Sequence, residues 1–206
     1  MAEPYCVIYA DPPWIFSTYS QKGKGRSAEA HYDCMSIDEI KEFFPLEGVA
    51  IDKDCALFLW TTDPHLPMAL EVMAAWGFTY KTIGFVWVKI TKDGSGYPIG
   101  TGYYTRTNPE ICLLGTRGHP KVWSHSVRKL IVAEETQPED IIAQTIFAPR
   151  REHSRKPDEA YGRIEELFDG PYLELFGRND WPGWDRLGNQ DGIGPRRWHS
   201  DMRDMP

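Results

Sequence analysis

Tyr5-Cys6-Val7-Ile8-Tyr9-Ala10-Asp11-Pro12-Pro13-Trp14 is the stretch from which the fold can be read. Its first six residues are a short apolar run rich in β-branched and aromatic side chains, the pattern of a strand buried on both faces. Pro12 and Pro13 stop that strand, because neither has an N–H to give to a ladder. A carboxylate, two carbonyls aimed by rigid rings and an indole therefore gather at the carboxyl end of a central strand. In open α/β sheets, ligands bind at that end.

Such a corner suits a planar heterocycle with an exocyclic amine. The amine would donate its two hydrogens to the Asp11 carboxylate and the Pro12 carbonyl while the ring stacks on Trp14. The same four residues would equally make a stiff turn with a capping Asp and a buried Trp, since a tetrapeptide alone is a weak signal.

Outward from this corner, Ile15 to His31 has no hydrophobic period and carries Lys22, Lys24 and Arg26. It reads either as a surface loop or as a flap that closes over substrate and gives basic contacts to phosphates. Ser36-Ile37-Asp38-Glu39 is a capping box that opens a short helix ending at Pro45. Ala56 to Trp60 is a second buried strand, and Asp63-Pro64 opens a helix that Gly77 ends. Tyr80 to Lys89 is a long strand, Thr91 to Thr107 a glycine-rich loop, and Glu110 to Gly115 another strand. A short strand over Leu130 to Ala133 and a short helix over Gln137 to Gln144 follow. Pro157 to Phe168 is a helix with acids near its positive end, and Tyr172 to Phe176 is the last buried strand. Strands alternating with helices predict an α/β fold: a mostly parallel, doubly wound sheet with helices on both faces.

The 206 residues suit one domain, expected over residues 1–192 with a C-terminal tail over 193–206. No apolar run reaches the ~18 residues of a membrane span, and no charged-then-apolar leader precedes the first strand. Cys6, Cys34, Cys55 and Cys112 lie far apart, as reduced thiols of a cytoplasmic protein would, and neither they nor the histidines have metal-ligand spacing. The formal net charge of −7 is unusual for a protein that binds a polyanion. Its basic residues fall in local clusters, so binding to any polyanion is expected to be weak for the lone chain and improved by a homodimer or heterodimer.

With Asp11-Pro12-Pro13-Trp14 after its strand, the chain resembles the family of the mRNA adenosine-N6 methyltransferase catalytic subunit, which also has bacterial and phage members. Further landmarks are Leu57-Phe58-Leu59-Trp60, Val86-Trp87-Val88-Lys89, His153 to Glu159, Glu174-Leu175-Phe176-Gly177-Arg178 and Leu187-Gly188-Asn189-Gln190. The resemblance implies a Rossmann-like methyltransferase fold with one antiparallel strand and a permuted motif order, catalytic strand early and cofactor strand late. It implies S-adenosylmethionine as cofactor and adenine in nucleic acid as acceptor, DNA more than RNA. The alternatives are an RNA adenine-N6 methyltransferase and a non-catalytic nucleic-acid-binding subunit.

Residue by residue, the resemblance implies Asp11, Pro12, Pro13 and Trp14 as catalytic, and Tyr32 near the target base. Asp11, Phe176, Gly177, Arg178, Asn189 and Gln190 would hold the cofactor, although Leu187 to Gln190 would also serve as a plain turn. Ser154 and Lys156, ahead of the helix at Pro157, would take the cofactor's carboxylate or simply cap that helix. Where the mRNA enzyme has a lysine ahead of the Glu110 strand, this chain has Asn108-Pro109, which makes Asn108 a candidate substrate contact. Family members often take an acidic cofactor contact from a strand upstream of the first one; here only Met1 to Pro4 precede it, so that contact is expected to be absent or to come from elsewhere.

Overall fold

The computed structural model describes residues 3–15, 34–44, 49–91, 95–97, 99–100, 102, 104–129, 146–149, 156–177 and 180–188. Its strands are β1 (Tyr5–Ala10), β2 (Ile51–Thr61), β3 (Thr79–Ile90), β4 (Glu110–Arg117), β5 (Ile146–Pro149), β6 (Tyr172–Leu175) and β7 (Trp184–Leu187). Its helices are α1 (Ile37–Phe43), α2 (Leu66–Ala75) and α3 (Glu159–Leu167).

The strands form one sheet in the order β5-β3-β4-β2-β1-β6-β7. β1 lies parallel to β2 and β6, β6 parallel to β7, and β3 parallel to β5, whereas β4 runs antiparallel to both β2 and β3. This is the predicted α/β architecture, mostly parallel with one reversed strand. The chain leaves β1 toward β2 and leaves β6 toward β7, so the carboxyl ends of these neighbours open a crevice at a topological switch point.

Alternation along the central strands feeds two cores. Ile8 and Ala10 face α1 and α2 with Leu57, Leu59, Val72 and Trp76, while Val7 and Tyr9 face α3 with Phe58, Trp60, Tyr161 and Ile164. Helices thus cover both faces. The Ser36–Glu39 capping box forms as expected, each partner closing on the other's backbone N–H. Gly77, at φ +81°, ends α2 in the left-handed conformation that a side chain would oppose.

Several boundaries differ from the sequence reading. β2 and β4 extend beyond their apolar cores, and Asp63-Pro64 forms a 3₁₀ turn with α2 starting at Leu66. β6 is the last strand buried along its length, but β7 adds a partly exposed parallel edge beyond it. β7 reads as Trp-Asp-Arg-Leu, and an edge strand needs no continuous apolar run. β5 was not expected either, and residues 130–133 and 137–144 lie outside the described residues, as does the expected domain boundary at 192. No helix among the described residues is long and apolar enough to cross a membrane.

Candidate active site

A row of four charges lies along the carboxyl edge of the sheet, on the face covered by α3. Lys89 stands near the end of β3, Glu110 begins β4, Asp11 follows β1, and Lys156 precedes α3. Lys89 Nζ lies 2.5 Å from Glu110 Oε1, Lys156 Nζ 2.8 Å from Glu110 Oε2, and the same ammonium 3.0 Å from Asp11 Oδ1. The reversal of β4 makes this row, since it brings that strand's first residue to the edge where the parallel strands end.

Lys156 is only 9% exposed in its side chain. Burying charges is costly unless each has a close partner. Burial disfavours the Lys156 ammonium, but Asp11 and Glu110 outweigh that and hold its pKa above the usual lysine range. Burial would also raise the Glu110 carboxyl, yet Lys156 and Lys89 hold it down to about 2. The Trp60 ring lies 5.5 Å beneath the Lys156 ammonium, and its indole N–H donates to the Tyr9 hydroxyl at 2.8 Å.

Of the two readings of the Asp-Pro-Pro-Trp corner, the structure shows the stiff turn with its Trp buried. Its carbonyls are not unclaimed: Pro12 accepts from the Trp14 N–H and Pro13 from the Met35 N–H, each at 2.9 Å. A carbonyl has two lone pairs, so Pro12 keeps one for another donor. Trp14 is no open stacking platform, being 6% exposed in the core beneath α1 and α2. Its indole N–H donates to the Trp60 carbonyl at 3.1 Å, and its ring stacks on His65 at 5.7 Å. Trp14 anchors the corner.

Asn108 also differs from its expected role. Its Oδ1 accepts from the Lys89 N–H at 3.0 Å and its Nδ2 donates to the Lys89 carbonyl at 2.9 Å. The amide thus imitates one further rung of the β3–β4 ladder, which places Lys89 beside Glu110 and leaves it ill suited to contact substrate.

Across the crevice, Phe176 has φ +62°, a left-handed conformation that costs a non-glycine residue about 1–3 kcal/mol. Its ring packs on Phe43 with centroids 4.3 Å apart. A Cβ on Gly177 would lie 2.6 Å from the Arg186 stem and 2.8 Å from Glu174 Cδ, so glycine here makes room for the protein's own side chains as well as for close ligand approach. Glu174, which the sequence reading passed over, is 6% exposed. Tyr161 donates to its Oε1 at 2.9 Å, while Oε2 is buried with no hydrogen-bond partner among the described residues. Burial pushes this carboxyl up to about 7, the Tyr161 bond acting against it and the Asp11 charge adding to it.

The structure therefore brings Asp11 and Lys156 together at one edge and sets Phe176 and Gly177 at the end of the neighbouring strand β6. Lys22, Lys24, Arg26, Tyr32, Ser154, Arg178, Asn189 and Gln190 lie outside the described residues. Glu110, Lys89 and Glu174 were missed, although each is a charge at the end of, or inside, an otherwise apolar strand, a position that requires a partner.

Residues 5–190 match the MT-A70 family. The chain is 30% identical to the type II methyltransferase M.MunI of Mycoplasma sp over 203 residues, covering 89% of this chain and 76% of that protein. It is 31% identical to the N(6)-adenosine-methyltransferase catalytic subunit METTL3 of Homo sapiens over 194 residues, covering 92% of this chain. The MT-A70-like N(6)-adenosine-methyltransferase of Drosophila melanogaster is 32% identical over 195 residues. The chain spans only 29% and 27% of the length of those last two relatives. With the family matched over almost its whole length, and a fold and charged crevice to suit, this chain belongs to the MT-A70 family.

Proposed function

We propose that this protein transfers a methyl group from S-adenosylmethionine to the N6 amine of adenine in nucleic acid, with DNA as the acceptor. The observation that carries this reading is Asp11 at the carboxyl tip of β1, its Oδ1 fixed 3.0 Å from Lys156 and its neighbour Pro12 carbonyl turned by two prolines. Similarity to a type II methyltransferase over most of both chains supports DNA.

The N6 amine is a poor nucleophile because its lone pair is delocalised into the ring. Asp11 and the Pro12 carbonyl would each accept one amine hydrogen, pulling the nitrogen toward tetrahedral geometry and turning its lone pair across the crevice. Alignment of this kind can be worth about 7–11 kcal/mol, whereas a hydrogen bond to a charged group gives about 1.5–3 kcal/mol. Orientation is therefore the larger effect, and Lys156 and Trp14 serve it by fixing the two ends of the Asp11-to-Trp14 corner.

The residues opposite fit a cofactor with cationic and hydroxyl donors, because Glu174 Oε2 is a buried acceptor with no partner among the described residues beside Gly177. Phe176 and Gly177, with Arg178, Asn189 and Gln190, would hold S-adenosylmethionine, which when bound supplies a sulfonium-activated methyl group. A cofactor carboxylate placed on Lys156 would crowd against Asp11 and Glu110. That argues for placing it elsewhere, and Ser154 is the remaining candidate from the same motif.

Labelled methyl transfer to adenine-containing DNA and RNA oligonucleotides tests the proposal. Wild type should label DNA in preference to RNA, and Asp11→Ala should lose at least ~100-fold in kcat. Transfer by Asp11→Ala at the wild-type rate would refute the assignment, and calorimetry showing no S-adenosylmethionine binding would favour a non-catalytic subunit.

A further inference from the structure

From Ile111 to Ala133 the sequence has no Asp or Glu, although the whole chain carries a formal net charge of −7. The stretch after β4 instead holds His119, Lys121, His125, Arg128 and Lys129, all exposed, and among the described residues none of them is ion-paired to a carboxylate. Between them stands Trp123, 59% exposed, with the Lys121 ammonium 4.2 Å from its ring centre. The segment is tied down from beneath. The Trp123 N–H donates to the Leu167 carbonyl at the end of α3 at 2.8 Å, Arg163 of α3 donates to the Arg128 carbonyl, and Lys129 donates to the Thr82 hydroxyl on β3 at 2.7 Å. It therefore lies across the face of the sheet that α3 covers. The carboxylates beside it serve the segment itself, Asp54 accepting the His119 N–H at 2.8 Å and Glu166 the Ser124 hydroxyl at 3.1 Å.

An exposed indole among exposed cations suits single-stranded nucleic acid, whose bases stack on aromatic rings while its phosphates meet Lys and Arg. A protein partner would call for a broader apolar patch than Val122 and Trp123 make, and one poorer in charge. We propose that residues 119–129 form an accessory surface for a single-stranded segment flanking the target base, with one base on Trp123 and phosphates on Lys121 and Arg128. This goes beyond the methyl-transfer reading but rests on its nucleic-acid acceptor. Thr82 and Lys89 both lie on β3, so at ~3.3 Å per residue the surface is about 20 Å from the crevice. A strand must extend several nucleotides past the target to reach it. The surface gives an acidic chain a local place to hold a polyanion.

The test is fluorescence anisotropy with single-stranded DNA oligonucleotides of about 4 and about 20 nucleotides, each with one adenine at its centre. Trp123→Ala should weaken binding of the longer roughly 10-fold, as expected for one lost base–aromatic stack, and leave the shorter within about twofold. Trp123→Phe, which keeps a stacking ring, should recover most of the loss. Lys121→Gln with Arg128→Gln should lower the slope of log Kd against log salt by about 1.4, at ~0.7 per phosphate contact on a single strand. Lys41→Gln removes a cation from α1 on the opposite face and should leave that slope unchanged. Equal losses for both lengths would overturn the surface, since they would show a general loss of fold or charge. If Trp123→Ala changes the sedimentation coefficient but not oligonucleotide affinity, the face is a protein interface and the proposal fails. If no variant alters binding of a long oligonucleotide that is still methylated, this surface falls and the adenine-methyltransferase reading stands. Binding that responds to these substitutions without any methyl transfer would do the reverse.

Discussion

The indole N–H of Trp14 donates to the backbone carbonyl of Trp60 at 3.1 Å, tying the end of the Asp-Pro-Pro-Trp corner to the neighbouring strand β2. This bond gives the motif's aromatic residue a mechanical role. Trp14→Phe keeps most of the packing but leaves a buried carbonyl short of its donor, at a cost of about 1–3 kcal/mol. Trp14→Ala adds a cavity and should cost about 3–5 kcal/mol. Urea denaturation measures both. If Trp14 instead stacked on the substrate, both variants would leave the urea midpoint unchanged and raise KM.

Lys156→Met should destabilise the fold by about 3–5 kcal/mol, because Asp11 and Glu110 would then share one dry site with no ammonium between them. Asp11→Asn together with Lys156→Met should recover part of that loss, since Glu110 keeps Lys89. A double-mutant cycle is expected to return a coupling of about 0.5–3 kcal/mol, and additive effects would show that the pair is not coupled.

Glu174 makes stability fall with rising pH. Its folded pKa, about 7, lies above the ordinary 4.5, so between those values the folded chain holds a proton that the unfolded chain has lost. The stability it costs is absent below about pH 4.5, grows through the interval, and is complete above about pH 7, at roughly 3 kcal/mol. Glu110 acts in the opposite sense: its folded pKa of about 2 gives stability above 4.5 that is lost as pH falls toward 2. Glu174→Gln should therefore be more stable than wild type at pH 8 and nearly equal to it at pH 4.5, as urea midpoints at the two values will show. An equal difference at both would mean that titration is not the cause.

Gly177→Ala should cost about 1–3 kcal/mol, because the new methyl would press on Arg186 and Glu174. Arg186 cannot swing away freely, since its guanidinium donates to the carbonyls of Gly177 and Gly188 and pairs with Asp180. Calorimetry should also show weakened S-adenosylmethionine binding, while full affinity would remove Gly177 from the cofactor site.

The centre of the sheet was legible from residues 5–14 and 56–60, where continuous apolar runs leave little choice but buried strands. The capping box at Ser36 and the glycine stop at Gly77 were legible because each is a local backbone requirement. β7 was not, since Asp185 and Arg186 mask a strand whose pairing is set by its neighbour. In the crevice, Asp11 and Lys156 could be nominated separately from motifs, but their contact joins positions 145 apart in the chain and depends on how α3 lands on β1. Glu110 escaped notice because its partners come from β3 and from the approach to α3. The role of Trp14 stayed open between a stacking ring and a buried one because the four-residue motif does not say which face of the sheet the ring will take.

The antiparallel placement of β4 ties folding to chemistry in a way that can be tested by length alone. Side chains alternate along a strand, so sliding β4 by one residue would send Glu110 to the α1 and α2 side and strand Lys156 and Lys89 without their shared anion. Deleting a single residue between Asn108 and Glu110 should therefore silence the enzyme even if the sheet still assembles. Length changes nearer Tyr97 and Ile99 would leave that spacing intact. The connection entering β4 is thus a place where the protein can remodel what it touches, up to a hard stop at Asn108.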